Sequence, residues 1–218
     1  MKLLLTSAGI SNNSIKKALE SLSNEPLKNL KIAFIPTASH LERGDKSWLI
    51  KDLKKCQELF ASVDIVDFAV LDKDQLLDRL KDTDLIYVEG GNTGFLMHWI
   101  LEKGLDKILP KLLKEKIYVG VSAGSIIMTP NLFTKESKLL YAEEPAKWMP
   151  EKALGLVNFC IIPHYKESYF PNITDENLKK LSQKTKQPIY ALDDESSIKI
   201  VDNKIEIISE GTWEKFDN

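Results

Sequence analysis

Cysteine is nearly absent from this chain: Cys56 and Cys160 are the only two, at no C-x-x-C spacing. That excludes a disulfide-stapled scaffold and a structural zinc site, and it suits a reducing compartment. Neither sign of charge is in surplus, with 30 Lys and Arg against 32 Asp and Glu for a formal net charge of −2. No basic stripe offers itself to phosphates, so nucleic acid is not an expected partner. Long hydrophobic runs are missing too. The run Leu3-Leu4-Leu5 ends too early for a signal-peptide core, and no later run is long enough to span a bilayer. The expectation is a cytoplasmic protein with no membrane partner. Histidine is scarce, so chemistry that needs an imidazole must choose among His40, His98 and His164.

What is present is apolar content of 43% over 218 residues, enough for one sizeable core and one domain spanning 1–218. Short β-rich runs alternate with amphipathic helical patterns, as a parallel sheet with crossover helices requires. Strands are expected at Lys2-Thr6, Lys31-Pro36, Val63-Phe68, Leu85-Glu89 and Ile117-Val121. Helices are expected at Ser14-Leu22, Ser47-Phe60, Asp74-Leu80, Thr93-Leu101 and Asp106-Leu113. The stretch Pro130–Leu154 has no clear period and reads as a long excursion. A strand at Phe159-Ile162, a helix at Asp175-Gln183 and strands near Pro188-Leu192, Ser197-Val201 and Ile205-Ser209 follow. The last two form a hairpin that closes the sheet. The fold class is therefore α/β: a mostly parallel central sheet, helices on both faces, and a C-terminal β-hairpin.

Ligands of open α/β sheets gather beyond the carboxyl ends of the strands, and three such endings converge on one chemistry. Gly120-Val121-Ser122-Ala123-Gly124 lies between an apolar run and a small-residue helix start, the pattern of a nucleophile elbow in which a strained turn exposes one hydroxyl. Ser122 is the candidate nucleophile, and the Ala123 N–H at the helix start is a candidate oxyanion donor. Glu89-Gly90-Gly91-Asn92-Thr93 ends another strand. Its glycines let backbone N–H groups approach a carbonyl closely, making Gly90 or Gly91 the second donor. Asn92 reads both as a helix N-cap and as a substrate contact. The third ending, Ile161-Ile162-Pro163-His164, presents His164 as the base that a serine hydroxyl needs, with a carboxylate behind it to fix the tautomer. Glu136, Glu143 and Glu144 in the excursion are the candidates for that carboxylate.

Leu85–Thr93, Gly120–Ser125 and Ile161–His164 together resemble the peptidase E family of serine peptidases, α-aspartyl dipeptidases and cyanophycinases, in the same order and with similar separations. The resemblance implies a class I glutamine amidotransferase-like fold, Ser122 as nucleophile, His164 as base and the Gly-Gly loop in the oxyanion hole. It also implies an acid between serine and histidine, before a proline. Glu143 in Glu143-Glu144-Pro145 fits when counted back from His164, and Glu136 when counted forward from Ser122; Glu143 is chosen. Relatives that prefer an N-terminal aspartate carry an arginine where this chain has Thr174-Asp175-Glu176, an acid that would repel a substrate carboxylate. Lys166 or Arg43 could stand in, and Asp194 in Asp193-Asp194-Glu195 could hold a substrate's free amino group. The expected function is a serine exopeptidase cleaving short peptides, without metal or organic cofactor, as a monomer or homodimer. The rivals are an α/β-hydrolase-type esterase and a non-catalytic sensing homologue.

Overall fold

The computed structural model describes residues 1–141 and 145–217. Five parallel strands form the heart of the fold: β1 (Lys2–Thr6), β2 (Lys31–Ile35), β3 (Ser62–Ile65), β4 (Leu85–Val88) and β5 (Ile117–Val121). β6 (Cys160–Pro163), β7 (Ile189–Leu192), β8 (Ser196–Val201), β9 (Lys204–Ser209) and β10 (Trp213–Phe216) complete the set. The main sheet has the order β3-β2-β4-β5-β1-β8-β9; β8 runs antiparallel to β1, and its hairpin partner β9 turns back to the direction of the five parallel strands. A second sheet, β10-β7-β6, pairs β6 with β7 in parallel.

Both faces of the main sheet are covered, which is why its central strands read as unbroken apolar runs. Leu4, Leu85, Tyr87 and Val119 face α1 (Asn13–Leu22) and α2 (Ser47–Leu59), meeting Ile15, Leu19, Leu22 and Cys56. Their neighbours Leu3, Leu5, Ile86, Val88 and Tyr118 point the other way. There they pack on α3 (Lys73–Lys81), α4 (Thr93–Glu102), α5 (Leu109–Leu112) and α6 (Ala123–Ile126). Full burial of each such aliphatic side chain contributes roughly 1.5–3 kcal/mol. A third cluster joins the small sheet to α7 (Ser137–Tyr141) and α8 (Asp175–Ser182) through Leu140, Ile162, Leu178, Leu181 and Phe216.

Several expected boundaries shift. The strand expected at Val63–Phe68 covers Ser62–Ile65, and Asp106–Leu113 divides into a 3₁₀ turn at Leu105–Lys107 and the short α5. The excursion holds a 3₁₀ turn and α7, and β10, absent from the sequence reading, gives β7 its second neighbour. Among the described residues no helix is long and apolar enough to cross a membrane.

Candidate active site

Register brings five strand ends together. Thr6 lies opposite Val121, and Val88 opposite Gly120, so Ser7, Glu89 and Ser122 emerge side by side. β8 is antiparallel to β1, with Ser197 opposite Thr6, while Pro163 of β6 pairs with Leu192 of β7. His164 and Asp193-Asp194 therefore leave adjacent parallel strands at the same edge of the molecule.

Ser122 occupies a strained backbone conformation, φ 46 and ψ −106, and its N–H is held by the Thr6 carbonyl at 3.0 Å. The flanking glycines are needed sterically. A Cβ on Gly124 would stand 2.1 Å from the Val88 carbonyl oxygen, and one on Gly120 would stand 2.6 Å from Gly124. Strain recurs at His164, whose φ is 61.

The imidazole joins two side chains. His164 Nε2 lies 3.0 Å from Ser122 Oγ, and Nδ1 lies 2.7 Å from Asp194 Oδ1. An ionised Asp194 only accepts, so Nδ1–H donates to it and Nε2 is left to accept the serine proton. Burial opposes the Asp194 charge, but hydrogen bonds from His164, Tyr169 and Ser7, with the imidazole's charge, hold its carboxyl below the usual carboxylate range. Ser7 Oγ donates to Oδ1 at 2.9 Å, and the Tyr169 hydroxyl donates to Oδ2. Phe170 lies against the imidazole, ring centroids 5.1 Å apart.

The structure thus sets Asp194 on the nitrogen for which the excursion was expected to supply a glutamate. Glu143 and Glu144 lie outside the described residues. Glu136 points elsewhere, pairing with Lys184 at 3.1 Å. Asp194, expected to hold a substrate amine, instead spends both oxygens within the protein. Its signal in the sequence was there: a polar residue just beyond an apolar strand, as at the other three endings.

The oxyanion candidates also separate. The Gly90 N–H turns toward the carboxyl of Glu89, whereas no hydrogen bond among the described residues engages the N–H of Gly91 or Ala123. Gly91 needs its freedom: φ is 125, and a Cβ would stand 2.4 Å from the Ala38 carbonyl oxygen. Asn92 caps α4 by accepting the Phe95 N–H at 3.0 Å and also lines the cavity. His40 pairs with Asp67 at 2.7 Å, and His98 packs between Trp99 and Trp148.

A cavity of about 700 Å³ opens over Ser122. Its lining includes Arg43, Trp48, Lys51, Asp52 and Lys55 as well as the apolar side chains of Ile126, Leu132, Met149 and Phe170. Thr174-Asp175-Glu176 borders a separate shallow depression, where Thr174 caps α8 and Asp175 accepts from the Tyr165 hydroxyl. Lys166 is there as well, 3.7 Å from Asp175, so Arg43 is the one of the two cations named from sequence that lines the cavity.

Comparison with known proteins agrees with this architecture. The model of peptidase family S51 matches residues 3–208. An uncharacterised peptidase of Listeria monocytogenes is 32% identical over 174 residues, 79% of this chain and 82% of that protein. Peptidase E of Nostoc sp. is 29% identical over 188 residues, covering 84% of this chain and 74% of the relative. A crystal structure of a Listeria monocytogenes protein described as a candidate peptidase E superposes with a TM-score of 0.81 at 27% identity. The match covers 96% of this chain and 98% of that one. The chain belongs to peptidase family S51 and is a serine peptidase.

Proposed function

We propose that the protein is an exopeptidase for short peptides, dipeptides foremost, that works through an acyl-enzyme on Ser122. His164 is the base and Asp194 the acid that orients it. The observation that carries this reading is the unbroken chain Ser122 Oγ–His164 Nε2, 3.0 Å, and His164 Nδ1–Asp194, 2.7 Å.

Attack by Ser122 Oγ on the peptide carbonyl passes its proton to Nε2, and Asp194 stabilises the imidazolium. The Gly91 and Ala123 N–H groups receive the oxyanion, the latter aided by its place at a helix start. His164 then protonates the leaving amine, and water repeats the route on the ester. A cavity of this volume suits a small ligand, and a lining that mixes charged groups with large apolar side chains suits a short peptide. No arginine stands at Thr174–Glu176, so strict aspartyl preference is not part of the proposal; the cations that line the cavity are Arg43, Lys51 and Lys55.

Incubation of wild type and Ser122→Ala with a panel of X-Leu dipeptides, aspartyl-leucine among them, and with their N-acetyl forms tests it. Release of leucine from free dipeptides by wild type alone is expected. Hydrolysis of simple esters without any dipeptide turnover would replace the exopeptidase with an esterase.

A further inference from the structure

Behind the Gly90–Gly91 loop lies a pair of carboxyl groups that the hydrolytic mechanism leaves unused. Glu89 ends β4 and is 1% exposed. Asp52 reaches toward it from α2, so that the two carboxyl groups are near enough to share a proton, and both line the cavity over Ser122. Asp52 Oδ2 also accepts the Tyr87 hydroxyl at 2.5 Å. Glu89 Oε2 is fully buried, and no conventional donor or acceptor meets it among the described residues.

Two ionised carboxylates do not share such a place, because their repulsion adds to the cost of stripping water from each. An oxygen with no donor beside it, next to a second acid, is what remains when the hydrogen bond is a carboxylic O–H donated to a carboxylate. Burial raises the Asp52 carboxyl as well, but Tyr87 donates to it and Lys55 and Lys51 flank it on α2, so Asp52 is the better anion of the two. Glu89 is left to carry the proton.

We propose that Glu89 is a neutral carboxylic acid whose proton bridges to Asp52, and that this bridge positions the Gly90–Gly91 loop beside Ser122. The proposal rests on the reading of that loop as the oxyanion site. One peptide unit separates Glu89 from Gly90, where an added Cβ would stand 3.3 Å from Ser122 Cβ. A Glu89 that moved away from α2 would therefore drag the donors from the nucleophile.

Burial drives the Glu89 carboxyl well above the ordinary range, and the Asp52 charge pushes it the same way. The other titratable groups facing the pair are Tyr87, Cys56, Lys51 and Lys55. Burial raises Tyr87 and Cys56, which keeps both neutral. Glu42 and Arg43 line the same cavity, and His164 stands across Ser122. With the Glu89 pKa raised, Glu89 keeps its proton at neutral pH and the bridge is lost as pH climbs through that raised value.

Difference infrared spectroscopy on the whole chain reads the proton without reference to activity. At neutral pH the wild type is expected to show the carbonyl stretch of a neutral carboxylic acid, absent from E89Q and displaced in D52N. Phosphonylation of Ser122 by a fluorophosphonate reads the loop, and the probe has no amine of its own to titrate. E89Q, whose amide replaces the hydroxyl as donor, is expected to react within about threefold of wild type. It should also hold that rate at alkaline pH, where the wild-type rate falls in step with the acid band. Glu89→Ala is expected to lose on the order of a hundredfold, as removal of an oxyanion donor does. A missing acid band at neutral pH overturns the proposal. So does a folded Glu89→Ala that reacts like wild type, or a wild-type rate that stays flat while the band titrates away. Should Glu89→Ala not fold, E89Q and the pH series decide the matter. Wild type that never labels would overturn the proposed nucleophile instead, and the infrared result would still locate the proton.

Discussion

The Ser7 hydroxyl donates to Asp194 Oδ1 at 2.9 Å and accepts the backbone N–H of His164 at 2.8 Å. One buried hydroxyl at the end of β1 thus links the acid to the main chain that carries the imidazole, a main chain held at a φ of 61. Positive φ at a non-glycine residue costs about 1–3 kcal/mol and persists only where neighbours impose it. Ser7→Ala removes such a neighbour and leaves an N–H unpaired. Stability is expected to fall by about 1–3 kcal/mol, measured by urea unfolding. The turnover number for dipeptides is expected to fall about tenfold, the worth of roughly one hydrogen bond to the transition state.

Asp194→Asn separates the acid seen in the structure from the one expected from sequence. The amide presents a donor where Nδ1–H needs an acceptor, so the imidazole flips to the wrong tautomer. A loss of about ten-thousand-fold in turnover number is expected, with KM little changed. Glu143→Gln, measured beside it, is expected to stay within about threefold of wild type, because Asp194 already fills the acid's place on His164 Nδ1. The reverse outcome would return the acid to the excursion.

The pH dependence of stability follows from the same carboxyl. Its folded pKa is lowered, so the stability it contributes is present above the ordinary carboxylate range and is lost as pH falls through the folded value. Urea midpoints of wild type and Asp194→Asn are expected to separate above the ordinary carboxylate range and to converge as pH falls below it. Midpoints that differ by the same amount throughout would show that Asp194 carries no excess charge interaction.

Strands and helices were legible wherever one period dominated. Leu85–Val88 and Ile117–Val121 are buried on both faces and declare it in unbroken apolar runs. Ser122 and His164 were legible because each follows such a run. Asp194 follows one too, after Ile189–Leu192, but a run of three acids at a turn has the same composition whether it is solvated or holds a catalytic ring. The information that decides is the parallel pairing of Pro163 with Leu192, a contact between segments about thirty residues apart that no local pattern encodes. The second sheet escaped for a related reason. Trp213–Phe216 is short, with three of its four residues exposed, and only its pairing with β7 makes it a strand.

Gly124 offers the sharpest test of the elbow. An added Cβ would stand 2.1 Å from the carbonyl oxygen of Val88, a backbone atom fixed in the centre of the sheet, so α6 must move away from β4. Because α6 begins at the residue after Ser122, that movement carries the Ala123 N–H and the nucleophile with it. Gly124→Ala is therefore expected to cost at least about 1–3 kcal/mol, as overpacking does. Turnover should also drop on the order of a hundredfold, since the donor leaves the oxyanion. Gly155→Ala is the matched control: its φ is 64 and nothing lies within 4 Å of the added carbon. There only the backbone penalty of about 1–2 kcal/mol applies, with turnover unchanged. Equal turnover in the two variants would show that close approach of α6 to β4 is not what positions the serine.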